Sequence, residues 1–575
     1  MRLRRLLALL MAFAVIAAAC GGSDTASTDT GEDGDAPAET EDAEEATETT
    51  VEGQVEVENI DEEQSGATGE LVTGEEPLAD RGPDPSGTLD FAWHTAFSQN
   101  WFLPSKNTAS VSQFGTQYIM HDAMLKSMPG KPFWPSMAES YTIAEDFTSA
   151  TFTLREGLLF HNGDPVTTED VEFSYLRYEG ANSAALQDNL DSIDLVDDRT
   201  ITFNFTGPFL DFLLLYGSTA TGAGWVLPKA YFEEVGEEGF LEAPIGAGPF
   251  KFVENNDNAK IVYEANTDWW YKNPGVETIN FNAITDPATR FAAVSTGELD
   301  LANVITGDLL DAADSDPNVE IVPTTAVPFW IEFIGMDDPE SPFNDIRVRE
   351  AVTLALDRDA INEAETGGGG ESTGQWIPRQ WAGAYQADKI DQDLERAKEL
   401  MAEAGFADGF DIPALTPLPN YFSLGERVIQ SLGEIGIRTT LNQMDRGEFL
   451  GQVNAGTSAN FERDSILVNI SGAGGDAAAR VRNFAVTGGS ASRLSDEKID
   501  ADFAAYEAST DPAERTELLD GIQKHIIDQH YFPYVYTLGL NMAQGTDVET
   551  PGNEVWAQIP QYVYPGPWEN IQVSE

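Results

Sequence analysis

Alternating apolar and polar positions predict half-buried strands in the chain beyond residue 87. The alternation is clearest in 148–157 and 199–207, where every second side chain is apolar, as in a strand with one face in the core. Further strands are predicted near Thr88 and at 259–266, 277–284, 319–325 and 465–470. Apolar residues three or four positions apart predict helices at 167–180, 289–300, 345–364, 393–406, 422–437 and 511–528. Because helices and strands alternate along the chain, the pattern favours α/β lobes.

The first 87 residues do not follow this pattern. Residues 1–20 combine a basic start, an apolar stretch and small residues before Cys20, which is typical of an export signal. The apolar stretch is shorter than the ~20 residues of a membrane-spanning helix. Residues 21–87 are rich in Asp, Glu, Thr, Gly, Ala and Ser and contain no aromatic residue, which predicts a disordered tether that like charges extend.

The amino-acid composition restricts the number of lobes, the possible partners and the possible metal sites. The chain has 575 residues, which is more than one compact core usually holds, so two or three lobes are expected. Its formal net charge of -66 repels phosphate backbones and excludes nucleic acid as a partner. Cys20 is the single cysteine, so the sequence offers no intrachain disulfide and no cysteine-based zinc site. We therefore predict no metal and no cofactor.

The residues around Cys20 resemble the lipobox of bacterial lipoproteins. Small residues at 17–19 precede the cysteine and Gly21 follows it, although Ala17 stands where a Leu is usual. In such proteins the cysteine becomes the acylated first residue of the mature chain. The resemblance implies lipidation at Cys20 and a position at the extracytoplasmic face of the cell membrane, in the periplasmic space or at the cell surface.

Five sequence blocks follow one another in a recognisable order, at 147–175, 244–254, 286–304, 341–361 and 394–410. Together they resemble the family 5 extracellular solute-binding proteins, the peptide-binding type of ABC importer receptor. The resemblance covers nearly all of the chain from Thr88 to residue 560. A series of motifs in order is far more specific than any one of them alone.

The resemblance implies a two-lobed periplasmic-binding-protein fold of type II, with an additional inserted lobe. Members of the family fold as two α/β lobes joined by a hinge and close over their ligand. We expect lobe I at 88–127, 244–330 and 536–575, the inserted lobe at 128–243 and lobe II at 331–535.

The resemblance also suggests where a ligand is bound. In peptide-binding members, an Asp in a Gly/Asp-rich loop of lobe II meets the ligand's ammonium group, and the matching segment here offers Asp476. The loop reads GAGGDAAAR instead of the richer Gly/Asp/Pro pattern, and a helix N-cap is the alternative role for Asp476. Arg480 and Arg482 are candidates for a ligand carboxylate, with neutralisation of neighbouring acids as the alternative.

Aromatic residues are the remaining candidates, because a cleft that binds solutes needs apolar walls. Trp376 and Trp381 lie in a segment, 367–385, that resembles the family's ligand-side loop. Trp93, Trp101 and Trp330 are further candidates for contact with the ligand. For each of these tryptophans a position in the core is the alternative.

The function implied by the resemblance is capture of a peptide or similar small solute for an ABC permease and ATPase. The protein is expected to be a monomer and not an enzyme. A receptor for an oligosaccharide, opine, metal complex or other non-peptide solute is the main alternative. A secreted hydrolase is disfavoured, since the chain has no HExxH or GxSxG motif and its His525 and His530 are five positions apart. A structural or adhesive lipoprotein is disfavoured by the ordered motifs.

Overall fold

A computed structural model describes most of the chain beyond residue 68. The described residues are 69–74, 81–107, 111–128, 131–180, 182–217, 222–256, 258–322, 326–368, 370–379, 381–419, 421–444, 446–453, 461–470, 476–539, 541–550 and 567–574. The export signal with Cys20, and residues 21–68 of the predicted tether, lie outside this set.

Strands and helices alternate through the described residues. The strands are β1 (Val72–Thr73), β2 (Thr88–Trp93), β3 (Leu125–Met128), β4 (Lys131–Pro135), β5 (Ala138–Ile143), β6 (Ser149–Leu154), β7 (Leu190–Leu195), β8 (Thr200–Phe205), β9 (Phe250–Asn256), β10 (Lys260–Ala265), β11 (Thr278–Ala283), β12 (Leu301–Asn303), β13 (Val319–Val322), β14 (Ala326–Phe333), β15 (Phe410–Asp411), β16 (Leu415–Pro417), β17 (Ile437–Arg438), β18 (Ile466–Ile470), β19 (Tyr534–Gly539), β20 (Met542–Gly545), β21 (Val548–Glu549) and β22 (Gln572–Val573). The helices are α1 (Val111–Met120), α2 (Thr168–Leu176), α3 (Ser183–Asp188), α4 (Phe212–Gly217), α5 (Lys229–Glu242), α6 (Pro287–Ser295), α7 (Asp308–Asp314), α8 (Ile346–Ala355), α9 (Arg358–Thr366), α10 (Leu394–Glu403), α11 (Phe422–Glu434), α12 (Arg446–Val453), α13 (Ala477–Phe484), α14 (Glu497–Ala508) and α15 (Pro512–Asp528). Within these residues no helix is both long and apolar enough to cross a bilayer.

A five-stranded antiparallel sheet has the order β1-β5-β6-β8-β7. Its strands β6 and β8 confirm the alternation in 148–157 and 199–207, and their apolar residues point into one core. Phe152 and Phe203 are fully buried there and pack edge to face, with ring centroids 5.9 Å apart.

Strand β1 falls within the range predicted as a disordered tether. It pairs with β5, and the flanking Gly69 and Gly74 donate backbone hydrogen bonds to Ile143 and Glu139 at 2.8 and 2.9 Å. The prediction of a disordered tether is wrong for this short segment. The segment forms a strand because it pairs with the hydrogen-bonding edge of β5, and its own apolar content does not account for the strand.

A seven-stranded sheet has the order β13-β20-β12-β2-β11-β10-β9, with β2 parallel to both β11 and β12. It contains the strands predicted near Thr88 and at 259–266, 277–284 and 319–325. Phe91 of β2 and Phe281 of β11 lie side by side in its core, with centroids 5.0 Å apart.

A four-stranded sheet has the order β16-β18-β14-β19. Strand β14 is antiparallel to both β18 and β19, and β16 is parallel to β18. Strands β14 and β19 run across the predicted borders between lobes I and II, at 330/331 and 535/536. The lobe borders remain predictions.

Most helices follow the predicted pattern, but the one predicted at 345–364 is two helices. The chain leaves the helical conformation at Leu356, and the side chain of Asp357 accepts a hydrogen bond from the Ala360 N–H at 3.0 Å. This N-cap begins α9, since it satisfies a backbone donor at the start of a new helix. The helix predicted at 511–528 is confirmed as α15, with Asp511 as its N-cap.

Candidate functional site

Two of the candidate tryptophans lie apart from the others, beside the seven-stranded sheet. Trp93 ends β2, is 1% exposed and stacks on Phe281 with ring centroids 6.0 Å apart. Trp101 is half-buried in a short 3-10 helix, and its ring meets Phe97 edge to face at 5.9 Å. Trp93 therefore has the environment of a core residue.

Five of the remaining candidates converge around the four-stranded sheet. Trp330 belongs to β14, Trp376 and Trp381 to the loop after α9, and Asp476 and Arg480 to the start of α13. The sequence did not show that these three segments meet, because they are separated by up to 150 residues.

Arg480 lies at the centre of this cluster. Its side chain is fully buried, and its guanidinium carbon lies 4.5 Å from the ring centroid of Trp381, 5.1 Å from that of Trp330 and 5.6 Å from that of Trp376. Burial lowers the pKa of Arg480 to about 9, so the group still carries its charge at neutral pH. The rings surround this charge at distances that suit cation–π attraction.

Hydrogen bonds to backbone carbonyls hold the loop of Trp376 and Trp381 against α13 and α15. The Arg480 Nη1 donates to the Trp376 carbonyl at 3.2 Å, and the Ala477 N–H donates to the Ala382 carbonyl at 2.9 Å. From α15, the Gln523 side chain donates to the Gly383 carbonyl at 2.7 Å. The loop that carries the two tryptophans is therefore attached to two helices.

Asp476 is the N-cap of α13. Its Oδ1 accepts a hydrogen bond from the Ala479 N–H at 2.8 Å, so the capping role considered for this residue is present. Its Oδ2 is buried and has no hydrogen-bond partner among the described residues. A buried carboxylate oxygen without a donor is unfavourable, which makes this atom a candidate contact for a ligand.

The electrostatic surroundings of Asp476 are consistent with that interpretation. Burial raises the pKa of Asp476 to about 7 from a usual value of 3.8. This value is a net result, in which the Ala479 N–H lowers the pKa, the carboxylate of Asp211 raises it and the guanidinium of Arg482 lowers it. A cation placed beside Oδ2 would favour the ionised form.

Asp476 faces a cavity between α13, α15 and the segment that leads into α4. Its polar lining includes Asp211, Asp476, Tyr506 and Arg515, and the backbone of Gly383 contributes to one wall. Its apolar lining includes Leu210, Leu214, Ala478 and Leu519. A cavity with apolar walls and a few charged groups is suited to a small polar solute.

Asp211 forms an ion cluster that sequence reasoning did not find. Its Oδ2 accepts from Arg482 Nη2 at 2.7 Å, and its Oδ1 accepts from Arg515 Nη2. Burial favours the neutral carboxyl, but the two guanidinium groups outweigh it, and the pKa of Asp211 lies below its ordinary value. Neutralisation of acids was the alternative role considered for Arg482, but nothing in the sequence identified an acid 271 residues away.

His161, in the first motif block, has structural contacts. Its Nε2 lies 3.1 Å from the Gly248 carbonyl, and its Nδ1 accepts from the Gly246 N–H at 3.3 Å. Burial lowers the pKa of His161 to about 3, so the ring is neutral and bridges the backbone before β9. Both contacts are structural, because they join the ring to the backbone of a neighbouring segment.

The family model of the bacterial extracellular solute-binding proteins, family 5, matches residues 133–492. The dipeptide-binding protein of Escherichia coli is 25% identical over 374 residues, which are 60% of this chain and 68% of that protein. Heme-binding protein A of Haemophilus influenzae is 26% identical over 389 residues, which are 62% of this chain and 70% of that protein.

A solved structure has the same fold. It is the ABC transporter-associated periplasmic binding protein DppA of Helicobacter pylori in complex with the peptide STSA. The TM-score is 0.74 at 20% sequence identity, over 86% of this chain and 99% of that one. The predicted α/β, two-lobed periplasmic-binding-protein fold is therefore confirmed.

Proposed function

We propose a ligand and a cellular setting for this chain, which belongs to the bacterial extracellular solute-binding proteins, family 5. The family consists of the extracytoplasmic substrate-binding proteins of ABC importers. We propose that this member captures a short peptide in the cavity beside Asp476 and delivers it to a permease and its ATPase.

The observation that carries the proposal is the buried Oδ2 of Asp476, which belongs to a cavity-lining residue and has no hydrogen-bond partner among the described residues. The amino-terminal ammonium of a peptide has three N–H donors and a positive charge. It would supply the missing hydrogen bond as a charge-assisted one, which is among the stronger kinds. The apolar walls formed by Leu210, Leu214 and Leu519 suit aliphatic parts of the same ligand.

A non-peptide solute is the second candidate, and two observations favour it. The loop before Asp476 departs from the usual Gly/Asp/Pro pattern of peptide-binding members. A relative of similar identity is named for heme binding. For such a ligand the apolar walls would matter more than the carboxylate.

The proposed setting rests on the amino-terminal sequence. Acylation of Cys20 would attach the chain to the membrane, and the acidic tether would hold the folded part away from the bilayer. We propose that the protein acts as a monomer and has no enzymatic activity of its own. Mass spectrometry of the membrane-extracted protein tests the anchor, since acylation adds the mass of its lipid chains to the first mature residue.

Thermal unfolding of the full chain with panels of di- to nonapeptides, oligosaccharides and opines tests the ligand class. A ligand at about a hundred times its dissociation constant stabilises the native state by about 2.7 kcal/mol. Peptides are expected to raise Tm in the wild type and not in Asp476→Asn.

The matched control is Asp393→Asn. Asp393 is the N-cap of α10, where its Oδ1 accepts from the Arg396 N–H at 2.9 Å, and asparagine is an equally good N-cap. The control variant should keep the peptide response. Stabilisation by sugars or opines alone, unchanged in Asp476→Asn, would favour the second candidate.

A further inference from the structure

Asp211 joins two parts of the fold that are far apart in the sequence. It precedes α4 in the predicted inserted lobe, whereas Arg482 and Arg515 belong to α13 and α15 in predicted lobe II. The contacts span 271 and 304 residues. All three side chains are largely buried, with exposed fractions of 7% for Asp211, 13% for Arg482 and 12% for Arg515.

The two arginines are also held by α14, on their own side of this contact. Arg482 donates to Glu507 at 3.1 Å, and its guanidinium lies 5.2 Å from the Phe503 ring. Arg515 donates to the Tyr506 carbonyl at 2.9 Å and lies 3.8 Å from the Tyr506 ring. These contacts do not involve Asp211, so the arginine pair can be positioned before Asp211 arrives.

Asp211 and Arg515 line the same cavity as Asp476. The Asp211 carboxylate can lie close to the Asp476 carboxylate, because the guanidinium groups of Arg482 and Arg515 compensate its charge. The ion cluster therefore lies at one wall of the proposed ligand site, where contact between the lobes would also retain a bound ligand.

We infer that Asp211 is a positioning residue that clamps the inserted lobe to lobe II. Its carboxylate bridges Arg482 and Arg515 when the lobes approach, and this bridge maintains the closed cavity around the solute. The inference deepens the proposed function by identifying what holds the cavity closed. A charge-assisted, two-point contact between buried groups favours one discrete closed arrangement over a range of partly closed ones.

The clamp can be tested without a ligand, by the rate of crosslinking across the cavity. Leu214 and Thr516 line the cavity from opposite elements, and Cys20 is the single cysteine of the chain. In the full chain carrying Cys20→Ser, Leu214→Cys and Thr516→Cys, a short bis-maleimide reports how often the two elements meet. Crosslinking yield is compared with the labelling rate of each single-cysteine variant.

The proposal predicts that Asp211→Asn lowers the crosslinking rate at least about fivefold. Arg515→Gln should lower the crosslinking rate by a similar factor. The rate in Asp211→Glu should be higher than in Asp211→Asn. Asp393→Asn is the matched control, because it makes the same chemical change at a carboxylate that caps α10 and does not line the cavity. Its rate should equal that of the parent.

An unchanged crosslinking rate in both Asp211→Asn and Arg515→Gln, with single-cysteine labelling also unchanged, would overturn the clamp. Circular dichroism and thermal unfolding establish that each variant is folded. The proposed function is tested independently by the solute panel, so either proposal can fail while the other stands.

Discussion

Replacement of Asp476 by Asn is expected to stabilise the ligand-free protein at pH 8. Asp476 is 2% exposed, and one of its carboxylate oxygens has no donor among the described residues. Asparagine has nearly the same shape, can still cap α13 and carries no charge. The substitution removes the energetic penalty of burying an ionised carboxylate.

The magnitude follows from the raised pKa of Asp476. Its folded-state pKa is about 7, against 3.8 for the ordinary side chain; the two differ by about 3, and each pKa unit corresponds to about 1.36 kcal/mol. The ionised group therefore destabilises the folded protein by about 4 kcal/mol. Because the folded state binds the proton more tightly, this penalty is absent below about pH 4 and complete above about pH 7.

Urea-induced unfolding at intervals from pH 4 to pH 8 measures this difference. The free energy of unfolding of Asp476→Asn should equal that of the wild type near pH 4 and exceed it by up to about 4 kcal/mol at pH 8. Asp393→Asn should show no such rise, because Asp393 caps a helix without lining the cavity. A difference between Asp476→Asn and the wild type that is constant with pH, or negative at pH 8, would show that the ionised Asp476 does not destabilise the folded protein.

Three further predictions concern binding and the core. In the wild type, peptide affinity measured by calorimetry should fall about tenfold per pH unit below about pH 7, because the ammonium binds ionised Asp476; constant affinity from pH 5 to pH 8 would contradict this. Arg480→Ala should lower the free energy of unfolding in urea by about 3 kcal/mol or more, as it removes a buried cation from its aromatic cage, and Arg480→Lys should cost less. Asp122→Asn should lower it by about 3–5 kcal/mol, because the fully buried Asp122 pairs with Lys126 at 3.0 Å and accepts from Trp269 and Trp270; a loss below about 1 kcal/mol would contradict the estimate.

The main elements of the fold were predictable, since local patterns determine them. Strands such as β6 and β8 alternate apolar and polar residues, and α15 has an Asp N-cap and regularly spaced apolar positions. The split at Leu356 was missed, because the apolar spacing continues through it and only the Asp357 cap marks the second helix. Strand β1 was missed because it depends on the edge of β5.

The candidate site was predictable in part. Resemblance to a family identified the segment of Asp476. The sequence did not show that one of its carboxylate oxygens caps α13 while the other has no donor among the described residues. The sequence does not show whether a tryptophan lies in the core or in a ligand-binding cleft. It therefore could not show that three tryptophans surround Arg480 instead of lining a cleft. Asp211 lacked any local signal, because its two partners lie more than 270 residues further along the chain.

The most direct test of the account compares peptides that differ only at the amino terminus. Trialanine and N-acetyl-trialanine, titrated calorimetrically into the full chain at pH 8, differ in the ammonium group that Asp476 is proposed to bind. Trialanine should bind, and acetylation should weaken binding by about a hundredfold or more, as expected for loss of a buried, charged hydrogen bond. Equal affinity for the two peptides, or no binding of either while an oligosaccharide or opine binds, would contradict the account.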